Sequence, residues 1–309
     1  MAGRADPTAT LNGNDANQPE TMSLPALAPI RDADLPEFGR FLTEHLSRSR
    51  SPEAWVEAFE QDWMPDKPNN GFLIRHEGRV VGGIGAIYAE RPVRGRLERF
   101  CNITSWCVGD EFRAQSMRLA MALTAQPGFH ITDFTPTEVV SKTLQFLKFK
   151  PMDERHTVWP NVPWPYARLA GVRVVSDPDR IGELLAPDEA RVYRDHRHLP
   201  WLRHLAVGRP GAWCHVVWKP TRLKNVRGAM ILAVSDAERF LRDRHAVGQH
   251  LLLRHALPYT RVEARLLPRV PKRCMVLSGY RSKVFKSDSL EPADMSNLYS
   301  EMVALDLAY

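Results

Sequence analysis

The stretch from Trp106 to Arg118, WCVGDEFRAQSMR, constrains the fold of this chain more than any other. It reads as a β-strand that stops at Val108, a short polar turn, and a basic loop that runs straight into a helix. A strand that enters a helix in this way leaves free backbone N–H groups at the helix start. Together with the positive end of the helix dipole, those groups suit an anion such as a phosphate.

The flanking sequence supplies a sheet for that strand. Ala28 to Ile30 fall in a short first strand, Leu27–Ile30. The spacing of Leu35, Phe38, Phe41, Leu42 and Leu46 predicts a helix, and Ser51 opens a second with Trp55, Phe59 and Trp63 on one face. Two strands, Phe72–His76 and Val80–Ala89, flank Glu77-Gly78-Arg79, a hairpin connection. Strands over 99–108 and Phe129–Phe134 then alternate with helices from Arg113 or Gln115 onwards and after Thr137. An antiparallel meander followed by a crossover onto a neighbouring strand defines an α/β (α+β) class, a mixed sheet flanked by helices.

The proline cluster WPNVPWP, with Pro160, Pro163 and Pro165, predicts a domain boundary. The expected organisation is a disordered polar tail over 1–24, a first domain over 25–159 and a second over 160–309. The second half loosely repeats the rhythm. Helices are expected at Asp179–Leu185, Glu189–His196 and Ala237–Ala256, and strands at Trp213–Trp218, Ala229–Val234 and Thr260–Leu267. An amphipathic helix over Pro292–Leu305 closes the chain. This suggests an internal duplication.

With 309 residues and 44% hydrophobic content, the chain has enough material for two cores. No apolar run approaches the ~18 residues of a membrane helix. The four cysteines show neither CxxC pairing nor metal-ligand spacing, in keeping with reduced thiols and a cytoplasmic protein. Residues 1–165 carry 18 Lys+Arg against 21 Asp+Glu, and residues 166–309 carry 24 against 15. The basic half could meet nucleic acid, an anionic membrane face or an acidic ligand, but it lacks interleaved aromatics or a nucleic-acid motif.

Residues 26–155 resemble the GNAT superfamily of acyl-CoA N-acyltransferases, most closely at Val108-Gly109-Asp110-Glu111-Phe112-Arg113-Ala114-Gln115-Ser116-Met117-Arg118. That run is similar to the family segment V-x-P-x-[YF]-[RQ]-G-x-G-[IVM]-[GA]. FTPTEVVSKTLQFLKFKPMD is similar to the family's last conserved helix. The resemblance implies acetyl-CoA or another acyl-CoA as cosubstrate, an amine acceptor and no metal. It implies that the backbone of Trp106, Cys107 and Val108 pairs with the pantetheine arm. Arg113, Ala114, Gln115, Ser116, Met117 and Arg118 would take the pyrophosphate. Two departures stand out. Ala114, Ser116 and Arg118 replace the loop glycines, and Leu144 stands where many members carry a Tyr that protonates the thiolate.

Acyl transfer to an amine needs a base, oxyanion donors and an acid for the leaving thiolate. The sequence offers Glu111, Thr104 and Asp133 as catalytic candidates without choosing among them. His130 is a weaker one. Cys107 on an apolar strand suits a buried thiol better than a nucleophile. The strand TRVEARLL alternates Arg261, Glu263 and Arg265 with apolar residues; it fits a polar acceptor cleft or a salt-bridged face equally well. Asp236 and Glu238 at the corresponding helix start of the second half are poor neighbours for a pyrophosphate, which places a single donor site in the first half. The leading expectation is an N-acyltransferase with tandem GNAT-like domains. The alternatives are a non-catalytic GNAT-like binding protein and a nucleic-acid partner.

Overall fold

The computed structural model describes residues 24–163 and 171–307. The tail expected over 1–24 lies, apart from Leu24, outside the described residues, as do 164–170 of the proline-rich stretch.

The first sheet begins with β1 (Ala26–Pro29), which pairs antiparallel with β2 (Gly71–His76). Between them run α1 (Leu35–His45) and α2 (Pro52–Phe59), the latter capped by Ser51, whose Oγ accepts from Ala54 N. Glu77 and Gly78 both have positive φ, 49° and 79°, and turn β2 into β3 (Arg79–Val93). That is the two-residue turn whose twist matches a hairpin. Arg94 and Gly95 repeat it ahead of β4 (Arg96–Val108).

The glycines of β3 let the two helices lie close on the sheet. A Cβ at Gly83 would stand 2.4 Å from the Phe38 ring, and one at Gly85 2.5 Å from Phe59. Gly85→Ala should therefore destabilise the protein by about 1–3 kcal/mol through overpacking, measurable as a lowered urea midpoint.

After β4 come a 3-10 helix (Asp110–Gln115), α3 (Ser116–Thr124), β5 (His130–Asp133), α4 (Glu138–Phe146) and β6 (Lys150–Pro151). The crossover through α3 sets β5 parallel to β4. Thr137 caps α4 by accepting from Val140 N.

The next strand, β7 (His156–Pro160), leaves this sheet and joins the second. The second sheet also holds β8 (Arg173–Val175), β9 (Arg203–Arg209), β10 (Ala212–Leu223), β11 (Val226–Val234), β12 (Tyr259–Glu263) and β13 (Met275–Leu277). Helices α5 (Pro178–Leu184), α6 (Pro187–His196) and α7 (Ala237–His255) accompany it. Then β14 (Val284–Lys286) returns to the first sheet between β5 and β6, and α8 (Glu301–Ala304) ends the described chain.

The result is two seven-stranded mixed sheets, ordered β1-β2-β3-β4-β5-β14-β6 and β13-β7-β12-β11-β10-β9-β8. Each half lends one strand to the other's sheet beside its parallel pair. The expected division at 159/160 falls within β7, and because β14 returns to the first sheet no single cut of the chain separates the sheets. One apolar core spans both, including Phe38, Trp63, Leu199, Met230, Leu298 and Met302.

Three expected elements differ. The helix expected to carry Trp63 ends at Phe59. The strand expected to run from Thr260 to Leu267 ends at Glu263 and tightens into a 3-10 turn, Ala264–Leu266. The closing helix over 292–305 forms only as a 3-10 turn, Pro292–Asp294, and as α8. Between them Ser296 Oγ accepts from Leu298 N, and Ser300 Oγ donates to Asn297 O. Such local side-chain bonds compete with helix bonds. The weakly alternating strands β8 and β9 carry no signal of comparable strength in the sequence.

Candidate functional site

The parallel pairing of β4 with β5 is short. It joins Phe100 to His130, Cys101 to Ile131 and Asn102 to Thr132, and stops there, while β4 runs on to Val108. A bulge helps part the strands. Opposite Ile84 of β3, β4 places two residues, Ser105 and Trp106, with Ser105 at φ 52°. A bulge bends the strand and strengthens its twist. Beyond Asn102 the edge of β4 facing away from β3 pairs with no strand among the described residues. Such an edge accepts an extended, amide-bearing chain as an added strand.

The second sheet repeats this fork. β11 pairs parallel with β12 from Ala229 to Ile231 and continues to Val234, with its register shifting at Leu232. Here the edge is capped, because Asn297 Nδ2 donates to Leu232 O at 3.0 Å.

Trp106, Cys107 and Val108 lie half-buried at the end of β4. Trp106 and Val108 pack toward Leu119, Leu123 and Leu144 of α3 and α4, and Cys107 packs on the other face of the sheet. Burial pushes the Cys107 thiol up to about 11, which leaves it protonated at neutral pH.

The loop after Val108 differs from a glycine-lined cradle. No residue from 106 to 127 has positive φ, and 110–115 wind as a 3-10 helix that passes into α3. In that winding each N–H turns back to a carbonyl three residues earlier, as Ser116 N does to Arg113 O. The free donors are those of the first turn, where exposed Asp110 and Glu111 stand. Arg113 pairs with Asp110 at 2.7 Å. Arg118 donates to Pro25 O at 3.1 Å and to Gln115 Oε1 at 2.7 Å. Ala114 and Met117 are exposed and Ser116 half-buried.

The three catalytic candidates are not brought together. Glu111 is exposed in the loop. Thr104 is buried on β4, with Oγ1 3.2 Å from Ser105 Oγ. Asp133 is buried at the end of β5, where the fork opens, and its Oδ1 accepts from Thr135 N. Leu144 is fully buried. His130 is held by Glu98 at 3.1 Å and by Ser287 at 2.9 Å.

Sequence reading missed Glu301, which the fold brings to Asp133. Glu301 Oε1 accepts from Phe134 N at 2.8 Å and from Thr135 Oγ1 at 3.1 Å. Glu301 N donates to Asn102 Oδ1 at 2.8 Å. Its Oε2 is buried without a hydrogen-bond partner among the described residues. Burial and the Glu301 charge raise the Asp133 carboxyl well above the usual range, and burial also raises that of Glu301. The closing segment carries five polar residues, Asp294, Ser296, Asn297, Ser300 and Glu301, and nothing in their spacing singles out Glu301.

Next to this pair, Glu263 binds Lys283 Nζ and Arg265 Nε, each at 2.7 Å, and accepts from Asn297 Nδ2 at 2.9 Å. Burial holds Lys283 down to about 8. The salt-bridged reading of Arg265 and Glu263 is the one the packing realises, since both side chains are buried. Beside the network lies a cavity of about 590 Å³, lined by Phe134, Thr135, His156, Tyr280, Arg281 and Lys283 among others. No group of three or more His, Cys, Asp or Glu among the described residues is placed to hold a metal ion. No described helix is long and apolar enough to cross a membrane.

Solved structures of low sequence identity share this fold. The chain matches a GCN5-related N-acetyltransferase from Anabaena variabilis at 11% identity, covering 85% of this chain and 72% of that one, with a TM-score of 0.56. It matches a GCN5-related N-acetyltransferase from Kribbella flavida at 12% identity, covering 85% and 71%, with a TM-score of 0.55. Eis1 from Mycobacterium abscessus follows at 12% identity, 84% and 72% coverage and a TM-score of 0.50. No sequence-family profile and no curated protein matches the chain. The protein has the GNAT fold, built twice in one chain.

Proposed function

We propose that the protein is an N-acyltransferase that moves an acyl group, acetyl in the simplest case, from acyl-CoA to an amine acceptor. The observation that carries this reading is the unpaired edge of β4 beside β5. The backbone of Trp106, Cys107 and Val108 takes the pantetheine arm as an added strand, which delivers the thioester to the fork near Asn102 and Asp133. The first fork is the donor site because the second is capped by Asn297.

The phosphates fall to residues 113–118. Arg113 serves best, because its present partner, Asp110, is exposed and such a pair is worth little. Arg113→Ala should weaken acetyl-CoA binding roughly tenfold, about 1.4 kcal/mol, measured by titration calorimetry; an unchanged affinity would move the phosphates elsewhere. Acetyl-CoA at a hundredfold excess over its Kd should stabilise the fold by about 2.7 kcal/mol. Absence of a thermal shift with acetyl-CoA and with longer acyl-CoAs would remove the reading.

The winding of 110–115 and the apolar Leu144 favour a second reading, a GNAT-fold protein that binds without turnover. Release of free thiol from acetyl-CoA in the presence of amines separates the two.

A further inference from the structure

The acyl-donor reading leaves the acceptor side of the fork without an assigned pocket or base. Thr135 joins two features that are otherwise separate. Its side chain lines the 590 Å³ cavity at the seam of the two sheets. Its hydroxyl donates to Glu301 Oε1 at 3.1 Å. Had the parallel pairing of β4 and β5 continued past Asn102 and Thr132, Thr135 would stand beside Ser105, the bulged residue that carries β4 away. What links Thr135 to the donor strand is Glu301, which accepts from Thr135 Oγ1 and whose N–H donates to Asn102, the last β4 residue paired with β5.

Resting on the acyltransferase reading, we infer that this cavity is the acceptor pocket and that Thr135 and Glu301 take the proton from the amine. The volume suits a metabolite-sized amine. Phe134 and Tyr280 give it apolar walls, and exposed Arg281 stands at its mouth. An ammonium donates to the free lone pair of Thr135 Oγ1, whose own proton already points at Glu301. One proton passes from nitrogen to Oγ1 as another passes from Oγ1 to Oε1. The amine becomes neutral, the hydroxyl is restored and the carboxylate becomes the acid.

The amine nitrogen then forms the C–N bond at the thioester carbonyl. Collapse breaks the C–S bond, and the thiolate leaves with the electron pair and takes up the proton that the nitrogen sheds. Glu301 is suited to the task because burial raises its carboxyl above the usual range, which makes it a stronger base than a free carboxylate. The groups that face it are Asp133 from β5 and Lys283 ahead of β14, with Glu263 and Arg265 beyond Lys283.

The test uses the full chain with acetyl-CoA as donor and ethanolamine as amine probe, read as thiol release. Thr135→Val keeps the shape and removes the hydroxyl. It should lower kcat at pH 7 at least tenfold, leave the KM for acetyl-CoA within twofold, and recover activity as the pH approaches that of the free amine. Thr135→Ser should retain most of the rate. Arg281→Ala, a change at the surface that removes a cation repelling the incoming ammonium, should lower the KM for the amine without changing that for acetyl-CoA. A Thr135→Val enzyme with unaltered kcat and pH profile, or an Arg281→Ala enzyme with unaltered amine KM, overturns the inference alone. No thiol release by the unsubstituted protein, with this or any thioester, overturns the acyltransferase reading and the inference with it.

Discussion

Acidification from pH 7 to pH 5 should cost the folded protein about 4 kcal/mol or more through two buried histidines, a large part of the roughly 5–15 kcal/mol that holds a typical domain. His196 on α6 and His215 on β10 are both pushed down to about 3, chiefly by burial. The unfolded chain binds protons on these groups below about 6.5, whereas the folded chain does so only near 3. In that window the unfolded state carries more protons, so stability falls as pH falls. Each unit of pH costs about 1.4 kcal/mol per histidine, or about 2 kcal/mol each between 6.5 and 5.

His204, half-buried and 3.1 Å from His215, is pushed down to about 4 and adds a smaller share. His196 faces Trp63 at 5.0 Å and Tyr299 at 4.4 Å, and Tyr193 stands edge-on to His204 and His215. Among the described residues, no carboxylate is hydrogen-bonded to the three imidazole rings to favour the charged form. Asp133 and Glu301 act in the opposite sense, because their raised carboxyls take up protons in the folded state and offset part of the loss. Urea titrations at pH 7, 6 and 5 should show a falling midpoint, and His215→Gln should flatten the slope by about one proton. A midpoint independent of pH over that range would refute the assignment.

Glu263→Gln should destabilise the protein by about 3–5 kcal/mol, because removing one member of a buried ionic network leaves uncompensated charge. Glu263 is the shared partner of Lys283 and Arg265, and all three side chains are buried. At about 2–4 °C per kcal/mol for domains of this size, the midpoint should drop by roughly 10 °C. Combining the change with Lys283→Met should recover part of the loss, because the cation left behind is then gone. The network also ties β12 of one sheet to the segment that leads into β14 of the other. The loss should therefore appear in both halves as one transition rather than in the second half alone.

Much of the local structure is legible in the sequence. Ser51, Thr137 and Asp236 mark helix starts because a side-chain oxygen three residues ahead of a free N–H can bond it whatever the rest of the chain does. Glu77-Gly78 marks a hairpin for a similarly local reason. The strand-to-helix passage at Trp106–Arg118 points to the sheet and to the crossover. The loop sequence also hints at its own conformation: without glycines at 114, 116 and 118, nothing favours the positive φ of an anion cradle, and the chain winds on into α3.

Only the tertiary structure decided the rest. Nothing within β7 or β14 says which sheet each joins. That depends on which edges the parallel pairs leave open, and each strand fills the edge of the other half. Glu301 lies 199 residues from Asn102, its backbone partner, and 166 from Thr135. No pattern within a few residues encodes such a contact. The sequence by itself determined the capped helix starts, the first hairpin and the strand-to-helix passage after β4, since these rest on bonds within a turn or two. The fold alone determined the fork, the seam cavity and the carboxyl pair, since these rest on edges and charges that meet only when the two halves are packed.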